Sequence, residues 1–345
     1  MIKGTIKLMM ASLLMVLPLL AKEGPAMNGH IEATYNYNLN QPKAGLSGWR
    51  SYDNKDNTFL LNTVMLRLAG AAMEKLTYTV EADFGTDAMF NSGGSMVDIQ
   101  EAYINWKFNN KLNLTIGKFV TFMGIEVIEG PVNPTVSRGF LFGLCEPFTH
   151  PGAYLQHILS DKIDIKLGVV NGWDLMKDNN DFKTIISRVG LNLGDPLSFG
   201  IVYYLGAEGT NDDSTLRHTM DITGVSKIIP KTALNFQFNW GMQDIGADSS
   251  GTWMGFGVQP VYTANEKCNV GLRFEMLMDG GIAPGATADA STWNLTVTPG
   301  YMIADGLWLR LEGRYDSSDK DLFEDKDGAM TSSQITVGAG FSYMY

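Results

Sequence analysis

Beyond its first twenty residues, this chain of 345 residues has no apolar run approaching the eighteen or so that a membrane-spanning helix requires. It therefore either stays in water or crosses a membrane without helices. Cysteine is almost absent: Cys145 and Cys268, far apart in sequence, could pair or stay free, and are too few for a disulfide scaffold. Positive charge is scarce too. With 26 Lys and Arg against 37 Asp and Glu the net charge is −11, which disfavours nucleic acid as a partner because phosphate binding needs a basic face. The four histidines, His30, His150, His157 and His218, have no serine and acid at triad spacing, and no Gly-x-Ser-x-Gly elbow occurs, so the chain does not read as an enzyme. Metal and cofactor signals are missing as well. "FEDKDG" (Phe323 to Gly328) has the look of a calcium loop, but Phe323 takes the first ligand position and Gln334 the twelfth, where a bidentate Glu is needed.

What is present begins with an export signal. Lys3 and Lys7 precede the apolar stretch Leu8 to Leu20, and Ala21 or Ala26 supplies a small residue for cleavage, so residues 1–21, or up to 26, read as a secretory leader. The remainder, 22–345, reads as a single domain.

From residue 27 onward helical periodicity gives way to alternation. In "GHIEATYNYNL" Ile31, Ala33, Tyr35, Tyr37 and Leu39 take one face, and His30, Glu32, Thr34, Asn36 and Asn38 the other. Leu60, Val64, Leu66 and Leu68 oppose Arg67; Leu76, Tyr78, Val80, Ala82 and Phe84 oppose Thr77, Thr79, Glu81 and Asp83. About sixteen such strands follow one another, mostly of roughly nine to fourteen residues, which is longer than globular strands and suits a tilted membrane crossing. Tight turns such as Asn109–Asn110 and Ala304–Gly306 alternate with longer polar segments such as 40–57, 85–96, 174–181, 279–289 and 317–330. Strict alternation of short and long connections predicts an all-β fold: a transmembrane up-and-down antiparallel barrel with both termini on the periplasmic side. Closure explains why an apolar strand, "QITVGAGFSYMY", runs to the final residue, since it must pair with the first strand to leave no open edge. Trp173, Trp240 and Trp293 are expected at the outer interface, while Trp253 fits neither face.

If apolar phases face lipid, the opposite phases line a lumen that carries both signs of charge: Arg67, Glu81, Asp83, Arg188, Arg217, Arg273, Glu275, Arg310, Glu312 and Arg314. Sixteen strands enclose a water-filled bore unless something fills it. The connection between strands 5 and 6, Thr121 to Pro151, is long and carries Phe140, Leu141, Phe142, Leu144 and Phe148, which need somewhere to pack. Folded inward, it would bring Glu126, Glu129, Arg138 and Glu146 to the narrowest level as a pore constriction.

This stretch resembles the outer-membrane β-barrel porin 2 (OmpL-like) family. The likeness rests on Gly117 to Phe119, Gly124 to Ile128, Asn133 to Arg138, Glu146 to Phe148 and Asn171 to Asp174. It implies an outer-membrane barrel with pore activity. The expected partners are outer-membrane lipid and small hydrophilic solutes or ions, and a homotrimer is compatible with an inward loop. The expected function is passive diffusion with selectivity set by the 121–151 loop; the alternative is a non-conducting barrel whose outer loops bind a ligand or surface.

Overall fold

The computed structural model describes residues 24–194, 196–246, 249–285 and 288–345; the expected leader, 1–21, lies outside them. Sixteen antiparallel strands close into one barrel. They are β1 (Ala26–Asn38), β2 (Thr58–Met73), β3 (Leu76–Phe84), β4 (Val97–Lys107), β5 (Leu112–Val120), β6 (Thr149–Ser160), β7 (Ile163–Val170), β8 (Thr184–Asn192), β9 (Leu197–Gly209), β10 (Asp212–Ser226), β11 (Thr232–Gly246), β12 (Ser249–Asn265), β13 (Cys268–Gly280), β14 (Asp289–Ala304), β15 (Leu307–Ser318) and β16 (Ser333–Met344). Every strand pairs with its sequence neighbours, and β16 returns to β1 in a ladder running from His30↔Met344 to Asn38↔Thr336. No helix of the described residues is long and apolar enough to cross a membrane.

Alternation sets the two faces. On β1, His30, Glu32, Thr34, Asn36 and Asn38 are buried and point inward, and Ile31 is exposed on the outer face. On β16, Ile335, Val337, Phe341 and Tyr343 are exposed outside, while Gln334, Thr336 and Ser342 are buried inside. The barrel is thus inverted relative to a water-soluble protein, with oily side chains facing lipid.

Two bulges break the simple parity. Thr63 pairs with Glu32 but Leu61 with Ala33, leaving Asn62 as the extra residue; below it, Glu101 pairs with Glu81 but Ile99 with Ala82, leaving Gln100 extra. Each extra residue turns a second polar side chain inward, so Asn62 with Thr63 and Gln100 with Glu101 are all buried. The first bulge corrects the expectation for Leu60. Beyond it the phase flips, and Phe59 and Leu61 meet the lipid face at 84% and 50% exposure.

Strict alternation of connection lengths also fails. β9 and β10 are joined by Thr210 and Asn211 alone, and β9 to β12 run 13, 15, 15 and 17 residues, so polar segments read as loops are rising strand. Elsewhere the longer connections hold structure of their own: α1 (Thr86–Asn91) after β3, and a two-residue hairpin pairing Phe323–Glu324 with Met330–Thr331 between β15 and β16. Trp240 and Trp293 stay on the outer phase, Trp293 beside Phe274 and Tyr315. Trp173 does not: it lies 4.8 Å from the guanidinium of Arg217, inside the barrel's loop end.

Candidate functional site: a loop bonded across the bore

Between β5 and β6 the chain leaves the wall and runs through the interior as a 3-10 turn (Gly130–Val132) and a short helix, α2 (Phe140–Cys145). Glycine permits the closest approaches. Gly124 has φ +88°, and a Cβ there would lie 1.9 Å from Glu146; one at Gly130 would lie 1.7 Å from Glu32.

A buried loop must find partners for its backbone groups, and the inward side chains of the wall provide them. The carboxylate of Glu312 accepts the amides of Val136 (2.7 Å) and Ser137 (3.1 Å). Glu275 accepts those of Phe140 and, at 3.2 Å, Leu141. In the opposite sense, Arg310 donates to the carbonyls of Asn133 (2.9 Å) and Gly130 (3.2 Å), and Arg314 to that of Arg138 (2.7 Å). Arg273 donates to the Ser137 carbonyl (2.5 Å) and pairs with Glu126 at 2.8 Å, both side chains almost fully buried.

The four residues expected to form a constriction are therefore not equivalent. Glu126 is buried under the loop; burial alone would raise its carboxyl, but the Arg273 guanidinium and the Gly139 amide hold it below the ordinary range. Arg138 is also buried, donating to the carbonyls of Val127, Ile128 and Val136 at 3.1, 2.5 and 3.1 Å, with its guanidinium 5.2 Å from the Tyr52 ring. Glu146 accepts a 2.9 Å bond from Gln237, and burial, followed by the nearby Asp221 carboxylate, pushes its carboxyl well above the ordinary range. Glu129 alone of the four is half-buried. Its carboxylate takes a 2.8 Å bond from Gln100, whose amide also donates at 2.8 Å to Glu81. Beside them Arg67 pairs with Glu81 (3.1 Å) and Glu101 (3.5 Å), its side chain 34% exposed.

The expected wall residues all point inward, yet they divide by position. Arg273, Glu275, Arg310, Glu312 and Arg314 are covered by the loop, and Asp83 is buried among neighbouring carboxylates. Arg188 stays partly accessible, paired with Asp164 at 3.0 Å, and Arg217 bonds Gln243. On the β5 to β9 side the loop meets the wall through aromatic rings instead. Phe122 packs with Phe119 and Tyr154, its amide donates to the Tyr204 hydroxyl (3.0 Å), and the ammonium of Lys166 sits 4.6 Å from its ring.

Parity reasoning missed three participants. Gln100 is turned inward by its bulge. Trp253 faces inward, buried against Leu141, with its indole donating to Asn239 at 2.8 Å. The third is the 40–57 segment, expected as a polar outer loop, which also folds in: Arg50 pairs with Asp53 and donates to Thr336 (2.7 Å), and Tyr52 packs on Phe142. Its mixed composition, Trp49-Arg50-Ser51-Tyr52-Asp53, was the available signal.

Residues 26–344 match the family described as "Putative beta-barrel porin-2, OmpL-like". The chain belongs to the OmpL-like beta-barrel porin-2 family. It is a porin-like barrel of the bacterial outer membrane. A comparison with curated proteins finds no match. Among solved structures the fold is similar to the outer-membrane channel DcaP of Acinetobacter baumannii (TM-score 0.67, 12% identity, 94% of this chain and 99% of that one). It is likewise similar to the anion-selective porin of Comamonas acidovorans (0.65, 10%, 93% and 99%) and to the outer-membrane protein OmpT of Vibrio cholerae (0.63, 14%, 93% and 97%). These likenesses concern the fold.

Proposed function

We propose that this barrel is a passive diffusion channel for small hydrophilic solutes, with both termini on the periplasmic side, and that the route left open runs between the loop and the β2 to β4 wall. The supporting observation is the asymmetry of the loop's bonds. Its buried ion pair with Arg273 and its backbone bonds to Glu275, Arg310, Glu312 and Arg314 lie on β13 to β15, whereas Arg67, Lys166 and Arg188 on the other side are only half-buried. A cavity of about 550 Å³ beside Lys118 and Phe148 at the loop end and one of about 470 Å³ beside Tyr103 and Tyr154 at the turn end flank the level of Glu129.

In this reading the selecting group is Glu129 with Arg67, Glu81 and Glu101. Glu126, Arg138 and Glu146 hold the loop in place. Three carboxylates around one guanidinium in a narrow passage favour cations. Stepwise conductance of the purified protein in planar bilayers tests the channel, and its absence from folded protein rejects it.

One observation favours the second reading, a non-conducting barrel that binds through its outer loops. Gln100 joins Glu129 of the loop to Glu81 of the wall, and the cavity at that level, bounded by Val120, Glu129 and Phe148, measures about 60 Å³. A trimer remains part of the proposal; chemical cross-linking in native membranes tests it.

A further inference from the structure

At one level of the inner wall two neighbouring strands present only backbone. The register there runs Asp164↔Gly190, Gly190↔Gly200 and Gly200↔Thr223 across β7 to β10. The inward residues one pair above on β8 and β9 are Arg188 and Val202, and those one pair below are Asn192 and Ser198, so the glycine pair makes a hollow between rows of full side chains. Glycine inside a strand weakens it, and its use there often marks the close approach of something else.

The hollow floors a cavity of about 540 Å³ at the turn end of the bore, covered by Gly124 and Ile125 of the inward loop. It stands on β7 to β11, apart from the β2 to β4 wall, and its volume suits a small solute. Arg188 bends over the floor: a Cβ on Gly190 would lie 2.6 Å from its Nη1, and one on Gly200 3.4 Å from its Nε. Its Nη1 bonds Asp164 at 3.0 Å, while Nε and Nη2 have no hydrogen-bond partner among the described residues, and the side chain is 27% exposed. The free edge of the guanidinium is thus the planar two-donor fork that matches a carboxylate.

The surroundings suit one negative charge. Lys227, exposed at the rim, has no ion pair among the described residues, and Asp164 is already matched by Arg188. The next carboxylate up the wall, Asp221, is buried and taken by Gln237 (2.7 Å), Asn239 (2.9 Å) and the Gly124 amide (3.1 Å). Around the fork, Ser198, Thr223 and Asn235 line the cavity with side chains that make no hydrogen bond among the described residues.

We propose that this hollow is a binding site for a small polyhydroxy carboxylate. The carboxylate would lie side-on against Nε and Nη2 of Arg188, and the hydroxyl groups would face Ser198, Thr223 and Asn235. Lys227 would add a second positive charge at the entrance. Binding here requires no conduction, so the site stands or falls apart from the channel reading.

The full chain in detergent micelles, titrated with gluconate carrying carbon-13 at its carboxylate and followed by NMR line broadening, tests this. Sorbitol, in which a neutral hydroxymethyl group replaces that carboxylate, is expected to compete about tenfold more weakly than unlabelled gluconate, and Arg188→Gln to weaken gluconate by about tenfold, the scale of a lost charge-assisted bond. Gly200→Val keeps every charge but fills the floor, and a similar loss is expected, with folding of each variant checked by heat-modifiable migration. In the wild-type chain alone, absence of broadening, or equal competition by sorbitol, overturns the proposal. Tighter binding of inorganic phosphate than of gluconate overturns the assignment to a carboxylate. Wild-type affinity in either folded variant overturns the site.

Discussion

The two sides of this bore use the same residue types for different ends. On β13 to β15, Arg273, Glu275, Arg310, Glu312 and Arg314 are buried against the backbone of the inward loop. On β2 to β8, Arg67, Asp164, Lys166 and Arg188 keep part of their surface accessible and pair with neighbouring side chains or rest on rings. On these two sides an inward charge is either spent on the loop's backbone or left partly accessible, according to whether a loop amide or carbonyl lies opposite it.

The sharpest way to break this contrast is Arg273→Ala. Removing it strands Glu126 as a buried unpaired carboxylate, and one broken buried pair costs about 3–5 kcal/mol. A marked fall in the thermal midpoint in detergent is expected, with larger or noisier conductance steps as the loop loosens; an unchanged midpoint would mean that the loop does not depend on this wall. Next, Glu312→Gln weakens two charge-assisted bonds to Val136 and Ser137, with about 1–3 kcal/mol expected from the same measurement. A smaller effect separates the two sides most cleanly. Glu129→Gln is expected to move the reversal potential toward anions by about twofold in permeability ratio, the scale of one partly screened charge. Glu126→Gln should leave that ratio in place while lowering stability, and equal shifts in both variants would erase the division. The mildest probe is thiol labelling. Cys145 is fully buried and burial pushes its thiol well above its usual range, whereas Cys268 is half-buried at the start of β13. A maleimide should modify Cys268 in folded protein and reach Cys145 only after unfolding.

The barrel was largely legible in advance because period-two alternation over nine or more residues has few other uses: the phases of β1 and β16 match residue for residue. Leu60 was misplaced and Gln100 missed because one extra residue reverses parity and leaves no mark in composition. The length of β9 to β12 was hidden for a different reason, since strands rising past the membrane become polar and read as loops. At the site, the surplus of aromatics in 121–151 signalled burial, but which carboxylate would be consumed by a guanidinium depends on partners such as Arg273 that lie far away in sequence. Trp253 resisted assignment because its inward packing partner, Leu141, belongs to that loop.

The join between β1 and β16 brings the two ends of the chain together. Its partners are nearly the whole polypeptide apart, so the cylinder cannot be completed while synthesis or export is under way, and every earlier state of the sheet has two raw margins. Loss of the last dozen residues would leave those margins permanently available to another molecule. The final strand is thus the keystone of the cylinder: bonded to β1 on one flank and β15 on the other, it leaves the wall without a margin.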